Sequence, residues 1–460
     1  MNGRKLFIRD RGFYRQTIEI AVPITLQSII TIGVSMMDNI MVGSLGETVI
    51  SGASLANQFI SVYHICCMGI GMGASVLTAR FWGMKNLEDL KRTITLMLRF
   101  CIGFSILFTL PALLAPGVLM QIYTPDQEVI AQGVLYYRWI WMSIILQGLS
   151  LTCTIVLRTA GQVRVPLYAS VGAFFINIFF NYILIFGKLG APRMGIQGAA
   201  LGTLFARLFE FFVICGYFFF RDRRVSYRLR DLRTECGMLL REYVCVSIPV
   251  FISDTLLALG GSVVAMIMGR IGKEFVSANA ITFVTQQIST VFIQGICHAG
   301  CIITGHTMGR GERDKAQQQA WTFLSMGVIV GVIGCTVILL ISRPVIGLYN
   351  ITPETERIAE QLMQSIALIV VFQASNSIMM KGVLRGGGDT RFLMVADILF
   401  LWLISIPLGA MAGLYWKLSP FWIYFFLKID QVLKAFWCVG RLKSEKWMKG
   451  ISGSRKEENI

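Results

Sequence analysis

An all-α membrane protein of twelve transmembrane helices, built as two six-helix repeats that run the same way, is the fold class this sequence predicts. Three observations predict it. The 460 residues are 55% hydrophobic and only 15% charged, with mean hydropathy +0.65, whereas a soluble domain carries about 25% charged residues. Apolar runs long enough to cross about 30 Å of hydrocarbon at ~1.5 Å per residue recur along the whole chain. A shift of 226 positions lays one half of the sequence on the other.

The runs fall at 17–42, 52–78, 93–115, 130–157, 165–187 and 195–220, then at 243–269, 276–304, 318–342, 357–384, 392–413 and 420–440. Their lengths suit tilted helices. Period-two alternation is absent, which excludes a membrane barrel. The first run follows Arg4, Lys5, Arg9, Arg11 and Arg15 and is too long for a cleavable signal, so it is expected to stay as the first span.

Basic residues fix the expected orientation. With the N-terminus inside, and with Arg357 and Lys381 at the two ends of the 357–384 run counted with the adjoining loops, the inner segments hold in order 5, 4, 2, 7, 3, 3 and 6 Lys and Arg, and the outer loops 0, 0, 2, 2, 2 and 1. That asymmetry places both termini in the cytoplasm. It also accounts for the net charge of +16 without nucleic acid, because the charges sit in short loops beside apolar runs. The expected divisions are a cytoplasmic segment 1–16, an N-lobe 17–220, a basic linker 221–242, a C-lobe 243–440 and a solvated basic tail 441–460. The 11 cysteines are scattered, with no C-x-x-C pair, and indicate neither a disulfide framework nor zinc.

Under the 226-residue shift Pro23 meets Pro249, Gly43 and Gly46 meet Gly269 and Gly272, and Thr78 and Gly83 meet Thr304 and Gly309. One further residue of shift aligns Val156-Leu157-Arg158 with Val383-Leu384-Arg385. Each half holds six spans, so the halves share one orientation, and a cavity between two such lobes suits alternate exposure to the two sides.

Acids inside apolar runs cost about 2.5–3.5 kcal/mol each on insertion scales and call for a reason. Asp38, in the outer part of the first span, has no basic residue near it along the helix; it reads as a titratable site or as an idle hydrated acid. Asn177 and Asn181 share one helix face and read equally as a polar pocket or as interhelical glue. Asp254 and Asp397 read either as a carboxylate pair for a cation or as partners of lysines or amides. Arg207 and Glu210, three apart, read as an ion pair. Glu19 and Asp430 are expected to reach water. Gly386-Gly387-Gly388-Asp389-Thr390 lacks the phosphate-loop frame and reads as a tight turn.

The two repeats, the Pro23…Asp38-x-x-x-x-Gly43-x-x-Gly46 run and the Val383–Thr390 run together resemble the multidrug and toxic compound extrusion (MATE) family, over almost the whole chain and its DinF-like branch more than its NorM-like one. The resemblance implies an N-lobe and a C-lobe and a cation-coupled exporter of amphipathic, cationic small molecules. It matches the family's first-helix acid to Asp38. The N-lobe site of the DinF-like branch then falls on Asn177, Asn181 and Thr203, with Asn181 where that branch has a second acid. The lost charge weakens a sodium site and favours the proton. The C-lobe acids of the NorM-like branch fall on Leu257 and Asn376, so Asp254 and Asp397 are the expected replacements, from shifted positions. The expectation is a monomeric antiporter of the cell membrane, coupled to H⁺ or alternatively Na⁺, with no cofactor, no metal and no nucleic-acid partner. The alternative is a flippase for a lipid-linked precursor. No His cluster, metal motif or paired catalytic acids point to an enzyme.

Overall fold

In the computed structural model, residues 7–450 are described, except 348 and 350. Their regular secondary structure is entirely helical, with no strand among them. Helix α1 spans Arg11–Gly43, α2 Glu47–Gly83, α3 Leu87–Leu114, the short α4 Pro116–Tyr123, α5 Gln127–Thr159 and α6 Arg164–Phe186. Helix α7 spans Ile196–Arg221, α8 Gly237–Ile271, α9 Lys273–Gly309, α10 Arg313–Ile346, α11 Pro353–Leu384 and α12 Thr390–Tyr415. The chain closes with α13, Pro420–Leu427, and α14, Ile429–Lys443.

Ten of these helices are long and apolar enough to cross a membrane, and α9, bent by 46° between Gln287 and Ser289, makes an eleventh. The twelfth expected span, 420–440, is interrupted at Lys428. The interruption exposes carbonyls of the preceding turn, and Ser405 Oγ donates to those of Leu427 (2.8 Å) and Phe426 (3.1 Å). No proline or glycine marks this break.

Local chemistry sets the helix ends. Asn86 accepts from the Asp89 N–H (3.1 Å) and donates back to its carboxylate (2.9 Å), opening α3. Asp126 opens α5 and Thr352 opens α11, the latter with Pro353 in the first turn. The run at 386–389 is a turn, as expected: the Gly388 N–H donates to the Arg385 carbonyl (2.8 Å) and Gly388 takes φ +79°, open to glycine at no steric cost.

Contacts divide the chain into two compact units. An N-terminal unit holds Leu26–Thr78 and Asn86–Val244; a C-terminal unit holds Met1–Thr25, Ala79–Lys85 and Cys245–Ile460. In the N-terminal unit the core gathers Tyr63, Tyr137, Ile140, Ile144 and Ile185. Gly198 lets α7 lie against the Leu184 backbone of α6, where a Cβ would stand 2.6 Å from the carbonyl. Small residues allow this close approach between membrane helices. Phe175, Phe179 and Tyr182 of α6 face outward, whereas Asn177 and Asn181 on its other side are buried. Residues 222–233 pack onto the same unit: buried Asp222 accepts from the Val225 N–H (3.0 Å) and from Gln162 Nε2 (2.7 Å).

In the C-terminal unit, Gly327, Gly331 and Gly334 of α10 lie against α11; a Cβ on Gly331 would come within 2.7 Å of the Val371 Cα. The described part of the expected solvated tail is exposed at Lys443, Ser444, Glu445, Lys446 and Lys449, but it is anchored by buried Leu442 and Trp447. Trp447 is fully buried and donates to Gln317 Oε1 (2.9 Å), and Arg441 pairs with buried Asp389 (2.6 Å). An indole loses too much by staying in water to trail freely beside an apolar groove.

Candidate functional site: two polar cavities

The N-terminal unit encloses a cavity of about 430 Å³ among α1, α2, α5, α6 and α7. Asp38, Asn177 and Thr203 all line it. Asn181 stands just behind the lining and donates from Nδ2 to Asp38 Oδ1 (2.6 Å) and to Asn177 Oδ1 (3.3 Å). The structure therefore brings together the four residues expected at this end of the chain. The sequence could show the i, i+4 asparagines but not what they face; α7, seated closely by Gly198 and Gly202, brings Thr203 to them.

The lining also holds Asn57, His64, Tyr136, Arg207 and Glu210, which no sequence signal tied to Asp38. Arg207 pairs with Glu210 at 2.7 Å, as the spacing predicts. No basic side chain forms an ion pair with Asp38 among the described residues, so the lining keeps one unbalanced negative charge. Ser170, on the wall, is held by Gln27 (2.9 Å), which in turn accepts from Arg158 (2.5 Å). Arg158 of the repeated Val-Leu-Arg motif thus props the cavity from behind. Asn177 Nδ2 and Asn181 Oδ1 are buried without a hydrogen-bond partner among the described residues. Asn181 turns its amide nitrogen to the carboxylate and its oxygen toward Gly202, where a Cβ would collide with it.

The C-terminal unit encloses a smaller cavity, about 240 Å³, among α8, α9, α11, α12 and α14. Its charged groups form two clusters. Lys434 Nζ bridges Asp397 Oδ1 (2.7 Å) and Asp430 Oδ2 (3.1 Å), and Ser253 Oγ also donates to Asp397. Arg385 donates to Asp254 (3.2 Å), with Lys381 Nζ 3.9 Å from the same carboxylate. Asn376 donates to Gln431 (2.8 Å), and Gln431 to Asp430 (2.8 Å). Asp254 and Asp397 therefore each hold a basic partner, and they belong to separate clusters rather than to one pair. Asp430, expected to reach water, is 1% exposed and engaged by Lys434, because the break at Lys428 turns the start of α14 inward. Lys381 and Arg385 read in the sequence as inner-loop charges. Their helix carries i→i+5 turns over Ile378–Leu384, a widening frequent at functional sites that no sequence pattern announced.

Among the described residues no group of three or more His, Cys, Asp or Glu is placed to hold a metal ion.

The family model MatE matches residues 23–183 and 249–411, one match in each repeat. The chain is 26% identical over 445 residues to the probable multidrug resistance protein NorM of Thermotoga maritima, covering 95% of this chain and 93% of that one. It is 24% identical over 438 residues to the multidrug resistance protein MdtK of Edwardsiella ictaluri, covering 90% and 92%. Among solved structures, an outward-facing multidrug resistance MATE family transporter superposes with TM-score 0.85 at 18% identity, covering 97% of this chain and 99% of that one. A MATE structure in a bent conformation gives TM-score 0.84, also at 18% identity, covering 94% and 96%.

Proposed function

This chain belongs to the MatE family, and from that membership we propose that it exports small amphipathic cations in exchange for protons. The family's members are transporters, not enzymes, and the named relatives are multidrug resistance proteins. The coupling ion, the substrate charge and a cell-membrane topology with both termini cytoplasmic are our reading.

One observation carries the proton: Asp38 is a carboxylate on a polar cavity with an amide donor at 2.6 Å and no basic partner among the described residues. A carboxylate left unbalanced inside a membrane protein is a default functional site. A proton and a cationic substrate compete for it, since each neutralises the same charge. Binding of one then disfavours the other, and that reciprocal coupling is what antiport requires. Sodium is the weaker candidate, because Asn181 adds an amide and not a second negative charge beside Asp38.

The test is efflux of ethidium from proteoliposomes. We expect an imposed pH gradient to drive it, a sodium gradient at equal pH to leave it at the leak rate, and Asp38→Asn to reduce the driven rate at least tenfold. Drive by sodium alone would remove the proton, and a native rate in Asp38→Asn would remove the role of Asp38.

A further inference from the structure

We propose that the cavity of the C-terminal unit is a binding site for a carboxylate-bearing organic anion, received by Arg385 and Lys381. Among the described residues, four charged side chains line this cavity: Lys381, Arg385, Lys434 and Asp397. Three are cationic. The one lining acid is held by Lys434 at 2.7 Å and by the Ser253 hydroxyl, and Asp430 behind it holds the same ammonium at 3.1 Å, so Lys434 is fully offset and the positive charge left on the wall is that of Lys381 and Arg385.

The donors are in the opposite condition. A guanidinium carries five N–H donors and an ammonium three. Arg385, 3% exposed, engages Asp254 through one terminal nitrogen at 3.2 and 3.5 Å, and its Nε is buried with no acceptor among the described residues. Lys381 approaches Asp254 only to 3.9 Å, beyond hydrogen-bond reach, and keeps 42% of its side chain accessible. Asp254 is not part of the lining. It offsets one of these two charges from behind and leaves the other for a ligand. An incoming carboxylate supplies the missing acceptors, and guanidinium–carboxylate contacts are among the stronger hydrogen bonds available. Glutamine and asparagine amides, among them Gln294, Gln373 and Asn376, make up the neutral polar wall. At about 240 Å³ the space takes one compact molecule. The larger cavity of the N-terminal unit, with Asp38 unbalanced, has the opposite polarity.

The proposal rests on the exporter reading only for the ligand's destination, so the experiment measures binding and needs no transport. The native full-length chain in phosphatidylcholine nanodiscs is titrated calorimetrically with N-acetyl-L-tryptophan, its neutral carboxamide and L-tryptophan methyl ester, a cation. These three share one indole and differ in charge. The expected result is that the anion binds at least tenfold more tightly than either of the others. Lys381→Gln, at a half-exposed position that leaves Arg385 and Asp254 paired, is expected to cut that preference below threefold. Arg385→Lys, which keeps the charge but loses the fork, is expected to weaken anion binding with the fold retained. Saturable binding of the ester equal to that of the anion, absence of saturable anion binding, or an unchanged preference in Lys381→Gln would each overturn the proposal. Displacement of the anion by added phosphatidylglycerol would assign the site to a lipid headgroup and overturn it as well. Dye export with no anion preference would end this inference alone; anion binding without dye export would end the exporter reading alone.

Discussion

Lys434 offers the sharpest contrast among single residues. It stands between Asp397 and Asp430 with 1% of its side chain accessible. Lys434→Met fills the same space but leaves two buried carboxylates without their cation, and breaking a buried pair costs about 3–5 kcal/mol. Asp397→Asn leaves a one-to-one Lys434–Asp430 pair and is expected to cost clearly less. Melting of the two variants in one detergent should show that order, and a reversed order would mean that Lys434 is not the balancing charge. At this scale the sequence was informative where a residue type was unusual for its place. Asp38 in an apolar run and the Asn177/Asn181 face were legible for that reason, and so was the Arg207–Glu210 pair. Lys381 and Arg385 were not, because a basic residue beside a loop looks the same whether it orients a span or faces a cavity. Asp430 was misplaced for the same kind of reason, since its depth depends on a helix break that no residue type advertises.

Helices were legible wherever apolar length decides them. The span at 165–187 matches α6 to within one residue, that at 392–413 falls within α12, and most others lie inside longer helices whose polar ends reach past the apolar run. Where packing decides, the sequence was silent, as at the interruption between α13 and α14. The glycines of α10 make the packing testable. A Cβ at Gly331 would stand 2.7 Å from the Val371 Cα and 2.8 Å from its carbonyl oxygen, backbone atoms that cannot swing aside. Gly331→Val should therefore push α10 off α11. Overpacking of this kind costs typically 1–3 kcal/mol. A lowered melting temperature, with Gly103→Ala at an open position as the neutral control, would confirm it; equal melting of the two would not.

For the molecule as a whole, duplication was the most reliable sequence signal. One register shift required two like halves, and the family model matches once in each. The compact units nonetheless do not follow the halves, since Met1–Thr25 and Ala79–Lys85 count with Cys245–Ile460. Sequence repeats record how the chain arose, and contacts record where each stretch packs. The docked segment after α14 belongs to this scale. Trp447→Ala removes a fully buried indole, a loss of about 3–5 kcal/mol for such truncations, along with the hydrogen bond to Gln317. The expected outcome is a lower melting temperature and faster protease cleavage around residues 386–391, whose Gly387 lies against that ring. Cleavage at the native rate would show that the segment seals nothing.

The early entry of α1 into the C-terminal unit also bears on the order of assembly. The Ile8 N–H donates to Thr322 Oγ1 at 3.1 Å, across 314 positions of sequence. During synthesis the opening segment must therefore wait, its partner unmade, until α10 has left the ribosome. Long-range closures of this kind slow folding and lengthen the interval in which apolar surface stands uncovered. The stretch around Ile8 is thus among the later parts of this unit to reach its final neighbours.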